Sequence, residues 1–145
     1  MAAIQFSVAQ SNDNKDRNKA LYRELTQLAN DGKLAESAKY YAESHEIKGI
    51  GKGPKAVETY AFGYRKTFPD LNVRIIELIA EGDVVMARCE ATGTQKGEMN
   101  RIPATGKTGK IAHWTINRFN EEGKITESWN LNDTMSMMKQ LGVIK

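Results

Sequence analysis

Residues 110–133, "KIAHWTINRFNEEGKITESWNLND", hold two runs rich in β-branched and aromatic residues on either side of Glu121–Gly123, the pattern of a β-hairpin. In an extended chain successive side chains point to opposite faces. The second arm therefore offers Ile125, Glu127, Trp129, Leu131 and Asp133 to one face and Thr126, Ser128, Asn130 and Asn132 to the other. Its apolar members mark the first face as the inward one, although it carries two carboxylates. In the first arm, Trp114, Ile116 and Arg118 alternate with His113, Thr115, Asn117 and Phe119, so both faces carry bulky groups. A sheet of this kind needs two covers. One is a helix layer, and the expected second is another copy of the chain, giving a homodimer packed sheet to sheet.

Working outward, "NVRIIELIAEGDVVMARCEATGT" (72–94) is a second hairpin turning at Glu81–Asp83, and "EMNRIPATGKTG" (98–109) is a Gly/Pro loop. "TMSMMKQLG" (134–142), which contains Met137, reads as a short helix stopped by Gly142. The first half of the chain has helical spacing instead. Capping residues Ser11 to Asp13 precede Leu21, Leu25 and Leu28, and a second, shorter helix is expected over 33–44. After the Gly-rich "KGIGKG" (48–53), Pro54 opens a third helix with Val57, Tyr60, Ala61, Tyr64 and Phe68, which Pro69 ends. Helices followed by antiparallel strands make an α+β fold in which the helices cover one sheet face. Such a layer can curl into a cone around a central pocket.

Composition narrows the function. The 145 residues amount to one domain, 1–145, with 1–14 expected to form a flexible or partly ordered N-terminal extension. The net charge is +3 and the basic residues are scattered, which argues against a nucleic-acid partner. "MAAIQFSVAQ" has no signal-peptide pattern, and no stretch approaches the roughly 20 apolar residues of a membrane span. The lone Cys89 fits a reducing compartment, so a cytoplasmic protein is expected. Two histidines, one cysteine and no HExxH or CxxC motif offer no usual zinc site. "TGKTGK" (105–110) is not a Walker A motif, because Arg101 stands where that motif needs its first glycine.

A strand face carrying Trp129 and Leu131 together with Glu127 and Asp133 suits an apolar pocket with a few polar groups aimed inward, where desolvation makes a carboxylate a better base. The structural alternative pairs Glu127 with a basic residue on a neighbouring strand and makes Asp133 the N-cap of the final helix. Of His113 and Trp114, one should face the pocket, where a histidine could relay a proton. Tyr40, Tyr41, Tyr60, Phe62 and Tyr64 suit core packing, with one or two lining the cavity, Tyr41 and Phe62 among the candidates. His45 reads as a surface histidine.

"TFPDL" (67–71), "AEGDVVMARCEATGT" (80–94), "IPATGK" (102–107), "INRFNEEGKITESWNLND" (116–133) and "KQLGV" (139–143) follow one another as in the SnoaL-like polyketide cyclases. The chain resembles that family from about residue 17 to its end. The resemblance implies an NTF2-like cone, a curved antiparallel sheet wrapped by N-terminal helices around a deep pocket that takes a hydrophobic small molecule, aromatic ones included. It also implies an ester cyclase that needs no cofactor, in which the aspartate of W-x-x-x-D, here Asp133, is the general acid/base. Gln95 stands where many members carry a histidine, and its amide cannot exchange protons at neutral pH. Other readings of the same cone are a cofactor-free isomerase or hydrolase and a non-catalytic small-molecule binder.

Overall fold

Four strands, β3 (Asn72–Glu81), β4 (Val84–Thr94), β5 (Thr108–Phe119) and β6 (Ile125–Asn132), form one antiparallel meander in the order β3-β4-β5-β6. The computed structural model describes residues 2–145, with side chains from Asp13 onward. The extension expected over 1–14 therefore lies mostly outside the described side chains. Ahead of the sheet come α1 (Ala2–Asn30), α2 (Leu34–Ala38), the two-stranded ribbon of β1 (Glu46–Ile47) and β2 (Gly51–Lys52), and α3 (Gly53–Thr67); α4 (Thr134–Gln140) follows it. None of the described helices is long and apolar enough to cross a membrane.

The helices cover one face of the sheet. Tyr22 and Leu25 of α1 are buried against Val85, Ala87 and Cys89 of β4, Phe119 of β5 and Ile125 of β6. The turn between β5 and β6 is tied to the same helix. Arg17 donates from Nη1 to the carbonyl of Glu121 (2.8 Å) and from Nη2 to that of Asn120 (3.3 Å). Gly123 sits there at φ +76°, where a Cβ would come within 2.8 Å of Leu21 Cδ1, so both the backbone and the contact exclude a side chain.

Two expectations from the sequence change here. The helix expected over 33–44 stops at Ala38, because the backbone beyond it is taken by β6. Ile125 N–H donates to the Tyr40 carbonyl (2.8 Å), and Ala42 N–H donates to the Ile125 carbonyl (2.9 Å). The face assignment of β6 is also reversed, and its cause is a β-bulge. Phe119 pairs with Ile125 and Arg118 pairs with Glu127, which leaves Thr126 as an extra residue. A bulge breaks the two-residue period. Ile125 points into the core, but after Thr126 it is Ser128, Asn130 and Asn132 that lie opposite Asn117, Thr115 and His113 on the helix-covered face. Glu127, Trp129 and Leu131 turn outward.

The outer face is consequently apolar in its middle. Ile79, Met86, Ile116 and Trp129 form one cross-strand row, and Trp114 pairs with Leu131 in the next. Trp129 is 50% exposed and Leu131 72%. Ion pairs flank the rows: Arg88 with Glu77 at 2.8 Å, and Arg118 with both Asp83 (3.0 Å) and Glu127 (3.1 Å).

Arg65 on α3 joins three segments through backbone carbonyls. Its Nη1 donates to Pro69 (3.1 Å) and Leu71 (2.9 Å), and its Nη2 donates to Ala29 and Asn30 at the end of α1. The Ala29 carbonyl also accepts from Gly32 N–H in the turn that ends α1 (3.1 Å), and the guanidinium adds a C-cap from outside the helix. Replacing Arg65 with Met keeps the aliphatic stem and removes every donor. Since hydrogen bonds from a charged group contribute about 1.5–3 kcal/mol each and part of the site stays hydrated, urea unfolding of Arg65→Met is expected to show a loss of about 2–4 kcal/mol. A loss below ~0.5 kcal/mol would show that α1 ends equally well without it.

Candidate functional site

Polar side chains placed on the covered face of a sheet must find partners there. Thr115 and Asn117, adjacent inward positions of β5, are 3% and 2% exposed. They are joined in a chain that reaches a histidine. Asn117 Nδ2 donates to Thr115 Oγ1 (3.1 Å), and the Ser128 hydroxyl donates to Asn117 Oδ1 (2.7 Å). Ser128 Oγ lies 3.1 Å from His45 Nε2. A hydroxyl has one proton, and Ser128 spends it on Asn117, so the proton of the last bond comes from His45 Nε2. His45 is 3% exposed and is not the surface histidine its sequence context suggests. The turn that brings it in is closed by His45 N–H to the Ala42 carbonyl (3.0 Å) and by Gly53 N–H to the His45 carbonyl (2.8 Å). Burial holds its pKa below 6.5, which keeps the ring neutral at pH 7.

A second group lies toward the other end of the same face. In the rung Ile75, Cys89, His113 and Asn132, one residue comes from each strand. His113 Nδ1 lies 2.6 Å from Asn132 Oδ1; an amide oxygen only accepts, so Nδ1 carries the proton and Nε2 is left with its lone pair. Burial lowers the His113 pKa more than the Asn132 bond raises it. Asp133, the next residue, caps α4. Its Oδ1 accepts from Ser136 N–H (3.1 Å) and its Oδ2 from the Ser136 hydroxyl (2.6 Å), and these bonds hold its pKa below the usual carboxylate value. The side chain of Gln140 clasps β5, accepting from Lys110 N–H (2.8 Å) and donating to the Lys110 carbonyl (2.8 Å). This seats Met137 over Gly109, where a Cβ would lie 3.8 Å from Met137 Cγ.

Two tyrosines, Tyr22 and Tyr41, pack at the core on the covered side, whereas Tyr60 and Tyr64 are exposed. Burial raises the pKa of Tyr22 and of Cys89. The Tyr41 phenol is pushed up to about 12 by burial, and its ring meets that of His45 edge-on at 4.8 Å. Tyr41 is half-buried and packs against the core. Tyr60 and Tyr64 of α3 are likewise edge-on, at 5.1 Å, with their hydroxyls 3.4 Å apart.

The structure thus gathers Tyr41, His113 and Met137 on the covered side, with Asp133 at its edge. It does not gather the others. Glu127, Trp129 and Trp114 are on the outer face, and Phe62 is exposed on α3, with Lys66 Nζ 5.9 Å from its ring centre. Gln95 is fully buried but occupied by its own loop. Its Nε2 donates to the carbonyls of Gly97 (3.2 Å) and Pro103 (3.3 Å), and its Oε1 accepts from the Thr105 hydroxyl (2.8 Å). A separate cleft of about 330 Å³ between α1 and β3 is lined by Arg23, Thr26, Gln27, Asn30 and Asn72 to Ile75, none of them a residue expected from the sequence. The residues that sequence reading passed over are His45, Ser128, Asn117 and Thr115. Their signal is the alternation of Thr115 and Asn117 with Phe119, polar residues in phase with a core aromatic.

A family model described as SnoaL-like polyketide cyclase matches residues 19–141. No curated protein matches the sequence. Among solved structures, TsrD of Streptomyces laurentii is similar at 20% identity and a TM-score of 0.81, over 90% of this chain and 98% of that one. AclR of Streptomyces galilaeus, a candidate hydroxylase, is similar at 25% identity and 0.78, over 90% and 99%. IdmH of Streptomyces antibioticus, a candidate polyketide cyclase, is similar at 23% identity and 0.72, over 86% and 98%. The fold they share with this chain is the NTF2-like α+β cone, its sheet curved and open.

The two histidines of the covered side set a pH dependence. Both have folded-state pKa values below 6.5, so the unfolded chain binds protons first as the pH falls. Their contribution to stability is complete above pH 6.5, is lost as the pH falls below it, and levels off beneath the folded-state values. Urea midpoints are expected to fall between pH 7.5 and 5.5, before the carboxylates titrate, with a shallower fall in His113→Asn. A flat profile over that window would show that neither ring resists protonation.

Proposed function

We propose, for a chain that belongs to the SnoaL-like polyketide cyclase family, a cofactor-free small-molecule enzyme of the ester-cyclase type. The observation that carries the reading is the covered face itself. Two ring nitrogens on that face are left as acceptors, His45 Nδ1, which is buried without a partner, and His113 Nε2, whose ring is fixed through Nδ1 by Asn132, an arrangement suited to one oriented organic ligand. The substrate class is a hydrophobic polyketide-like ester whose α-proton lies between two carbonyls. A base takes that proton; the enolate carbon bonds to a ketone carbon of the same molecule; and the new alkoxide recovers the proton from the base. Such a proton is acidic enough to need neither metal nor organic cofactor.

Two residues at the α4 end are assigned to the proton. Asp133 is the acid/base that the resemblance implies, ionised at neutral pH. His113, neutral at pH 7 with its Nε2 lone pair free, takes the proton over from Asp133 and delivers it to the new alkoxide. Tyr41 and Met137 form apolar wall. The cap geometry of Asp133 favours a second reading, a non-catalytic binder on the same cone. Asn caps a helix about as well as Asp, so Asp133→Asn is expected to keep its melting temperature within a degree or two. Its turnover of an activated β-keto ester is expected to fall at least 100-fold, and that of His113→Asn by a similar factor. Parent-like rates in both variants would take the proton away from these two residues, and no turnover by the parent itself would favour the binder.

Trp114, Ile116, Trp129 and Leu131, on the outer face, are assigned to a homodimer interface rather than to substrate. The flanking charges of both signs, Arg88 with Glu77 and Arg118 with Glu127, suit a rim around a two-fold axis, where each side meets its own complement. Light scattering at micromolar concentration is expected to give the mass of two chains for the parent and of one chain for Trp129→Arg. A single-chain mass for the parent would overturn the assignment. The lone, buried Cys89 fits a cytoplasmic setting.

A further inference from the structure

We propose that His45 selects ligands bearing a hydroxyl, accepting its hydrogen bond at Nδ1. This rests on the reading of the covered face as a ligand site and names the chemistry that site requires. The hydrogen-bond chain leaves little choice. Thr115 Oγ1 accepts from Asn117, Asn117 Oδ1 accepts from Ser128, and Ser128 Oγ therefore accepts from His45 Nε2. A neutral imidazole has one N–H, so Nδ1 is a bare acceptor. Among the described residues Nδ1 has no hydrogen-bond partner, although His45 is 97% buried, its exposure being 3%. An unpaired acceptor shut away from water costs stability that a donor would restore.

The direction from which a donor arrives is given by Tyr41. Its ring packs edge-on against the buried His45 at 4.8 Å while Tyr41 itself stays half-buried, so a ligand group that reaches past Tyr41 meets the imidazole. The neighbouring Ser128 hydroxyl cannot be that donor, because its proton is spent on Asn117. The complement to Nδ1 is a phenol or enol O–H at the edge of a flat apolar molecule. A ketone or ether oxygen in its place would set two acceptors against each other.

The test uses the full chain with ¹⁵N-labelled histidine and two matched probes. These are 6-acetyl-2-naphthol and its methyl ether, which differ in one O–H. Without ligand, long-range ¹H–¹⁵N correlation is expected to show the proton of His45 on Nε2. The naphthol is expected to bind about tenfold more tightly than the ether and to shift the His45 Nδ1 resonance, a shift the ether does not produce. In His45→Phe the two probes should bind alike. Should that variant not fold, Ser128→Ala, which leaves the ring in place but no longer fixes its tautomer, should also narrow the preference. Equal affinities in the parent, a proton on Nδ1, or a preference that survives in either variant would overturn the inference alone. Binding of neither probe would overturn the ligand-site reading together with it.

Discussion

The extra residue at Thr126 is the constraint on which the rest of the molecule turns. Before it, Ile125 is in phase with Phe119 and completes the core under α1. After it, the strand presents Ser128 and Asn132 to the covered side and Trp129 and Leu131 to the outside. Remove the bulge in thought, and Glu127 would take the place of Ser128 opposite Asn117, with Trp129 and Leu131 opposite Thr115 and His113, while serine and asparagine would line the outer face. One inserted residue thus allows a strand to close a hydrophobic core at its start and bound a polar interior farther on.

The same residue explains what could and could not be read from the sequence. Both hairpins, their turns, the final helix and the α+β order follow from local patterns, and the structure has all of them. Period-two alternation is as clear in β6 as in β5. A bulge, however, has no composition of its own at Thr126, and it is visible only through the pairing of Phe119 with Ile125 and of Arg118 with Glu127. Of the two inward carboxylates that this alternation suggests, Glu127 is therefore outward, and Asp133 stands past the end of β6 at the edge of the covered side. Glu127 pairs with Arg118, and Asp133 caps α4, each the structural alternative that the residues also allowed.

His45 was hidden for a related reason. It lies in a short polar turn, "AESHEI", that gives no periodicity to work with. Its burial depends on contacts made 83 residues later in the chain, at Ser128. Gln95 shows the converse. Its position suggested a pocket residue, but the loop it opens contains Asn100 and Arg101 at φ 50° and 67°, a tight turn with few bonds of its own. A buried amide at the base supplies the missing donors and acceptors, and little of the side chain is left over for anything else.

The row Ile79, Met86, Ile116 and Trp129 takes one residue from each strand of the sheet. No fragment of the sheet can display it: a single hairpin offers at most two of its members. The surface exists only once the full meander has formed, which imposes an order in time, chain closure first and recognition by any covering partner second. A nascent chain still missing β6 lacks Trp129, and with it the end of the row, so premature association during synthesis has no complete template to copy.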